Sequence, residues 1–204
     1  MPWERKPWAA SVVSVEVRFD PDGILVRDQF LAPHEIRALI ECARLRSERG
    51  DFAAARIGGE RSVQRREEIR GDSTCWISTP LQPAEQSLLE KLECLRLELN
   101  RDCLLGLFEL ELHYAWYPPG AGYARHVDQP QGRAQRQVSL ALYLNEEWSH
   151  EAGGALRIFD GGGHRDIEPI AGRLACFLTP GREHAVLPTQ RDRLSISGWF
   201  RVRD

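Results

Sequence analysis

His126 and Asp128 stand two residues apart, His184 lies well downstream, and Arg193 follows it by nine. Two imidazoles and one carboxylate are the ligand set of a non-haem Fe(II) centre that activates O2. Three protein ligands leave up to three positions of an octahedral ion free for an organic chelator and O2. Asp128 supplies the negative charge that a neutral imidazole pair lacks. Arg193 adds a fixed cation suited to the carboxylate of a substrate or co-substrate. H-x-D tripeptides are common by chance, and Arg193 alone fits an ordinary salt bridge; only the joint pattern points to oxidative chemistry. The remaining histidines, His34, His113, His150 and His164, lack comparable neighbours and read as surface or packing residues.

Strands must position these groups. On a strand, residues i and i+2 project to one face, so His126 and Asp128 reach one ion from a single segment, and His184 must arrive from a distant strand. In a strand over 193–200, Arg193, Ser195, Ser197 and Trp199 share one face, and Leu194, Ile196 and Phe200 share the other. An arginine on an enclosed face needs an anion, because an unpaired buried charge is costly. Tyr143 has the parity of Ser139 and Ala141, so its hydroxyl is available to share that anion with Arg193.

The wider pattern divides in two. Pro33 opens a helix to about residue 48, ended by Gly50, and Pro83 opens a second to about residue 100. A strand is predicted over 12–17. After the second helix the period becomes two, over 108–116, 138–144, 156–158, 173–179 and 194–200, with Pro/Gly turn clusters between. Helices first and many short strands after predict an α+β, mostly β fold. Its core is a double-stranded β-helix (jelly roll) at 105–204, with helical support and a substrate loop at 1–104, in one domain. The polar stretch 51–68 reads as a long loop.

The 204 residues suffice for one domain with a substantial core. A net charge of −3 gives no pull toward nucleic acid or anionic lipid. Five cysteines without a C-x-x-C pair argue against a zinc ribbon or a disulfide framework and fit a reducing compartment. The N-terminus reads as a mature cytoplasmic one rather than a signal peptide, and no apolar run is long enough to span a bilayer.

The run Tyr117-Pro-Pro-Gly-Ala-Gly-Tyr-Ala-Arg-His126-Val-Asp128 resembles the first metal-ligand segment of the 2-oxoglutarate-dependent prolyl hydroxylases. So do Tyr143-Leu-Asn145, Gly153-Gly-Ala-Leu-Arg-Ile-Phe159, and His184 with Arg193 and Trp199. Ile69-Arg-Gly-Asp-Ser-Thr-Cys-Trp-Ile77 is similar to a segment typical of the hypoxia-inducible-factor prolyl hydroxylases and their bacterial relatives. The resemblance implies that His126, Asp128 and His184 bind Fe(II). It implies that Arg193 and Tyr143 hold the distal carboxylate of 2-oxoglutarate, that Tyr117 lines that pocket, and that Ser197 sits near its metal end. It places Asp72, Arg136, Trp76 and Trp199 at the substrate entrance, with Asp72 and Arg136 paired in a salt bridge. The loop 51–68 departs from the family in sequence; with 69–77 it is the candidate flap over a bound polypeptide, its Arg56, Arg61, Arg65 and Arg66 placed to meet acidic substrate residues. The implied reaction is hydroxylation of a prolyl residue, giving hydroxyproline, succinate and CO2, with ascorbate as reductant. The leading implied substrate is elongation factor Tu.

Three other readings stay open at this point. The chain is an oxygenase of another amino acid, a small molecule or a base, against which the 69–77 motif and the absence of a basic strip argue. It is a non-catalytic jelly-roll sensor for a small anion. Or it is a cupin-like protein with a structural zinc.

Overall fold

In the computed structural model, residues 16–55, 69–128 and 135–203 are described. The loop arginines at 56–66, and residues 12–15 of the predicted first strand, lie outside them. Glu16 and Val17 are not in a strand.

Both helices begin as the prolines predict. In α1 (Pro33–Glu48) the Glu35 carboxylate accepts from Ala32 N at 2.7 Å, and in α2 (Pro83–Cys103) Glu85 accepts from Gln82 N at 2.9 Å. Each carboxylate satisfies an end donor that the helix itself leaves unpaired. Gly50, at φ 76°, closes α1. The second helix runs three residues past the expected end, to a left-handed Leu104. Asn100 grips Leu107 from both sides there, and the chain turns toward the sheet.

The strands are β1 (Ile24–Arg27), β2 (Ala53–Ala54), β3 (Ser73–Trp76), β4 (Glu109–Tyr117), β5 (Tyr123–His126), β6 (Arg136–Tyr143), β7 (Leu156–Phe159), β8 (His164–Ile167), β9 (Leu174–Leu178), β10 (His184–Val186) and β11 (Arg193–Arg201). They form two antiparallel sheets, in the orders β1-β9-β6-β11-β4-β3-β2 and β5-β10-β7-β8. This is the expected mostly β jelly-roll arrangement. The first hundred residues give more than helical support, because β1, β2 and β3 complete the larger sheet.

Alternation assigns the two faces of the larger sheet. Leu112, Tyr114, Val138, Leu140, Leu142, Leu174, Ile196 and Phe200 form one cluster with Leu39, Leu88, Leu92, Leu95 and Leu99 of the helices. Burial of this apolar surface is the main stabilising term. Ala141, Tyr143, Ala175 and Phe177 face the other way, against Leu156, Ile158 and Ile167 of the smaller sheet. Gly198 sits where β11 meets β4, and a Cβ there would lie 2.0 Å from the Glu111 carbonyl oxygen. Glu85, fully buried, takes Arg46 through two bonds at 2.7 and 2.8 Å and the Tyr114 hydroxyl at 3.2 Å. It thereby ties both helices to β4. Among the described residues no helix is long and apolar enough to cross a membrane.

Candidate metal centre and co-substrate pocket

β5 ends on His126 and β10 opens on His184, and antiparallel pairing sets the two opposite each other. Asp128 lies just past the end of β5 rather than on it, yet still reaches inward. Asp128 Oδ1 is 3.5 Å from the Nε2 atom of each histidine, and one donor atom from each of the three residues lies within 4.8 Å of the others.

The surrounding bonds fix what each ligand offers. His126 Nδ1 meets Ala124 O at 2.8 Å and His184 Nδ1 meets Arg182 O at 3.2 Å. A carbonyl only accepts, so each Nδ1 carries the proton and each Nε2 turns its lone pair inward. Asp128 Oδ2 accepts from Ser139 Oγ at 2.7 Å and Trp199 Nε1 at 2.8 Å, which leaves Oδ1 for the cluster. Burial pushes the Asp128 carboxyl up, but the two imidazoles, when Nε2 also carries a proton, more than offset this and hold it well below the usual carboxylate range; a cation set between the three groups acts in the same direction. Two imidazole nitrogens and one carboxylate oxygen converging on one point fit a divalent metal ion.

A second kind of chemistry occupies the same pocket. Arg193 is 2% exposed, and among the described residues no carboxylate lies within ion-pair distance of it. Its Nε donates to Gly154 O at 2.8 Å and its Nη1 to Ser195 Oγ at 3.3 Å. The rings of Tyr117 and Tyr143 flank the guanidinium, at 5.0 and 5.2 Å. Among the described residues the buried Tyr143 hydroxyl has no hydrogen-bond partner. Burial pushes that phenol up to about 12, with Arg193 pulling the other way, so it remains a proton donor at neutral pH. A buried cation beside an orphaned hydroxyl donor makes a receptor for a carboxylate.

The cavity joining the two ends spans about 540 Å³, open solvent at its mouth included, and is lined by Tyr117, Ala141, Phe177, Ser197 and Trp199 besides His126, Asp128, His184 and Arg193. Register explains the grouping: Arg193 pairs with Tyr117, Ser195 with Tyr143, Ser197 with Ala141 and His113, and Trp199 with Ser139.

The expected Asp72–Arg136 bridge is not formed. Asp72 is buried and takes Arg70 through bonds of 2.7 and 3.0 Å. Arg136 instead donates to Glu111 at 3.0 Å and to Asp128 O at 3.1 Å, and stacks 3.5 Å from the Trp199 ring centroid. Asp72 is therefore not presented to a substrate, and Arg136 and Trp199 brace Asp128. Trp76 is 53% exposed beside the site, with its ring 6.4 Å from that of Trp199.

Sequence reading missed three participants. Ser139 shared the small-residue face with Tyr143, and that parity was the available signal for its bond to Asp128. Phe177, 4.8 Å from the His184 ring, had no signal beyond strand alternation. His113, read as a packing residue, lies between Trp76 and Trp199 at 5.0 and 5.4 Å and lines the pocket.

His113 has a consequence for stability. It is 4% exposed, and its Nδ1 has no partner among the described residues. Burial, with the nearby Arg70, lowers its pKa from 6.5 to about 4. Between these values the unfolded chain takes up a proton that the folded chain refuses. Stability therefore falls as pH drops through the window. His113→Met is expected to remove this loss, which reaches about 3 kcal/mol at the acid end. Urea unfolding of both proteins across the window checks it; parallel losses would assign the acid sensitivity to other groups.

A double antiparallel sheet holding such a cluster and an anion receptor in one cavity defines the class of non-haem metal oxygenases. Comparison with known proteins narrows this. Residues 112–201 match the 2OG-Fe(II) oxygenase superfamily. A Pseudomonas putida prolyl-4-hydroxylase is 41% identical, with TM-score 0.80, covering 90% of this chain and 94% of that one. A prolyl hydroxylase in complex with a hypoxia inducible factor oxygen degradation domain peptide fragment, from Trichoplax adhaerens, is 26% identical, also at TM-score 0.80, covering 89% and 84%. Egl nine homolog 1 of Homo sapiens is 32% identical over 191 residues, 87% of this chain. The chain spans only 43% of that relative's length. The chain belongs to the 2OG-Fe(II) oxygenase superfamily and is similar to prolyl hydroxylases within it.

Proposed function

We propose that this chain hydroxylates a prolyl residue of a protein substrate, consuming O2 and 2-oxoglutarate and giving hydroxyproline, succinate and CO2. The observation that carries this reading is the buried Arg193, with no carboxylate partner among the described residues, in the cavity that also holds the His126, Asp128 and His184 donors. A five-carbon keto diacid has a chelating end for one and a carboxylate for the other.

His126, Asp128 and His184 would hold Fe(II), which would supply the centre where O2 is activated; O2 is the oxidant, and one of its oxygen atoms would go to the substrate and the other to the succinate left when 2-oxoglutarate loses CO2. Arg193 neutralises the distal carboxylate and the Tyr143 hydroxyl donates to it. Tyr117 and Phe177 wall the pocket against water, and Ser197 offers a hydroxyl to the bound co-substrate. Ser139 and Trp199 keep Asp128 Oδ1 turned to the metal. This orientation in a dry cavity is the protein's contribution to rate.

The prolyl hydroxylase relatives support a prolyl target, and the peptide-bound one supports a polypeptide. Exposed Trp76, with Trp199 and Arg136 behind it, provides an aromatic wall on which a saturated ring can pack. Elongation factor Tu is the leading substrate, on family resemblance, with ascorbate keeping iron reduced. Free thiols on all five cysteines fit the cytoplasm.

The test is incubation of the purified protein with a bacterial soluble proteome, Fe(II), ascorbate and 2-oxoglutarate, followed by mass spectrometry of oxidised prolines. One strong prolyl site, absent with Asp128→Ala, is the expected result. Succinate formation without prolyl oxidation would keep the oxygenase and discard the prolyl target.

A further inference from the structure

His126 sits on a weakly held piece of backbone. β5 has four residues, lies at the edge of the smaller sheet, and pairs with β10 through only His126–His184 and Tyr123–Val186, with a register shift between. Short edge strands of this kind open readily. A metal ligand on such a strand needs support from its other side.

The Ile69-Arg-Gly-Asp72 segment lies there. Ala124 N donates to Ile69 O at 2.8 Å and Gly71 N to Gly122 O at 3.0 Å, and Arg70 bridges Tyr123. Gly71 permits this approach, because a Cβ on it would come within 2.9 Å of the Ala121 Cβ. Side chains continue the contact. The Arg70 guanidinium lies 4.6 Å from the Tyr123 ring centroid, and the other side of the chain of contacts is a stack of Tyr123 on the His126 imidazole, at 3.5 Å and 14°. The Asp72 carboxylate holds Arg70 by two bonds.

We propose that Arg70 is a positioning residue for the metal centre: neutralised by Asp72, it clamps the Tyr123 ring against His126 and holds that imidazole toward the ion. The inference rests on reading His126 as a metal ligand. The Nδ1 bond to Ala124 O fixes one edge of the imidazole, and the Tyr123 stack fixes its face. Together they leave Nε2 one direction. The paired carboxylate also matters, because a bare guanidinium this close would repel a divalent cation. The segment thus serves the centre from outside the ligand set, as partners of metal-bound histidines commonly do.

Titration of apoprotein with Co(II), read by its visible ligand-field absorption, tests the clamp without any turnover. Arg70→Gln is expected to weaken Co(II) binding about tenfold or more. Tyr123→Leu should do the same, and the double variant should be little worse than either single one, because both break one chain of contacts. Tyr123→Phe keeps the flat ring and should stay within about twofold of the parent. Arg70→Lys keeps the ion pair, and with it the fold, but lacks the plane, so its affinity should fall with that of Arg70→Gln. Parental Co(II) affinity in Arg70→Gln would overturn the proposal, and so would full rescue by lysine. Failure of the parent protein to bind Co(II) would instead remove the metal reading itself, and the clamp with it.

Discussion

Asp128→Ala is expected to bring 2-oxoglutarate-dependent succinate formation down to the level seen without enzyme. Asp128 is the only anionic member of the cluster, and its Oδ1 is shared by both histidines. On the proposed reading, losing it removes one of three protein ligands together with the charge that would balance a dication. Metal affinity should fall by more than about 100-fold, the upper range for altering an outer partner alone. The fold should survive, because the residue lies outside both apolar clusters. Asp128→Asn separates charge from orientation. It retains an acceptor for Ser139 Oγ and Trp199 Nε1 but not the negative charge, and it too should be inactive. Succinate release and Co(II) titration on all three proteins check the prediction. Parental turnover in either variant would rule out the ligand role.

Arg193→Met should raise the KM for 2-oxoglutarate by roughly 100-fold, equivalent to about 3 kcal/mol, the loss expected when one member of a buried charge pair is truncated. The same substitution should hardly change the stability of the free protein. Burying a guanidinium with no counter-charge among the described residues offsets what its bonds to Gly154 and Ser195 contribute, so unfolding should stay within about 1 kcal/mol of the parent. Arg193→Lys should recover little, since a single ammonium cannot reproduce the planar fork. Tyr143→Phe tests the orphaned hydroxyl. Its loss should cost about tenfold in co-substrate affinity and nothing in the free protein, where that hydroxyl has no partner among the described residues. Steady-state kinetics over a range of 2-oxoglutarate, with thermal melts in its presence and absence, measure both effects. An unchanged KM in Arg193→Met would move the distal carboxylate elsewhere.

Much of this architecture was legible along the chain. Pro33 and Pro83 with Glu35 and Glu85 marked both helix starts, because capping is decided within four residues. Alternation over β4, β6 and β11 assigned Arg193, Ser195, Ser197, Trp199 and Tyr143 to one face correctly, since pleating imposes a period of two wherever a strand forms. The four residues of β1 escaped notice for the opposite reason. A strand that short has almost no pattern of its own, and pairing with β9 defines it.

The ligand types, too, could be read from His126, Asp128 and His184, but not their convergence. The 58 positions separating the two histidines close only when β10 pairs with β5. Charge pairing was the least legible. Asp72 chose Arg70 over Arg136, and Arg136 turned to Glu111 and Trp199. Nothing in the order of residues ranks such partners, because Coulomb and hydrogen-bond energies depend on distance in space and fall away within a few ångströms. Propensity, capping and alternation act between near neighbours along the chain. Which cation meets which carboxylate, and which imidazole goes without a partner, depends on contacts that exist only once the sheets have closed.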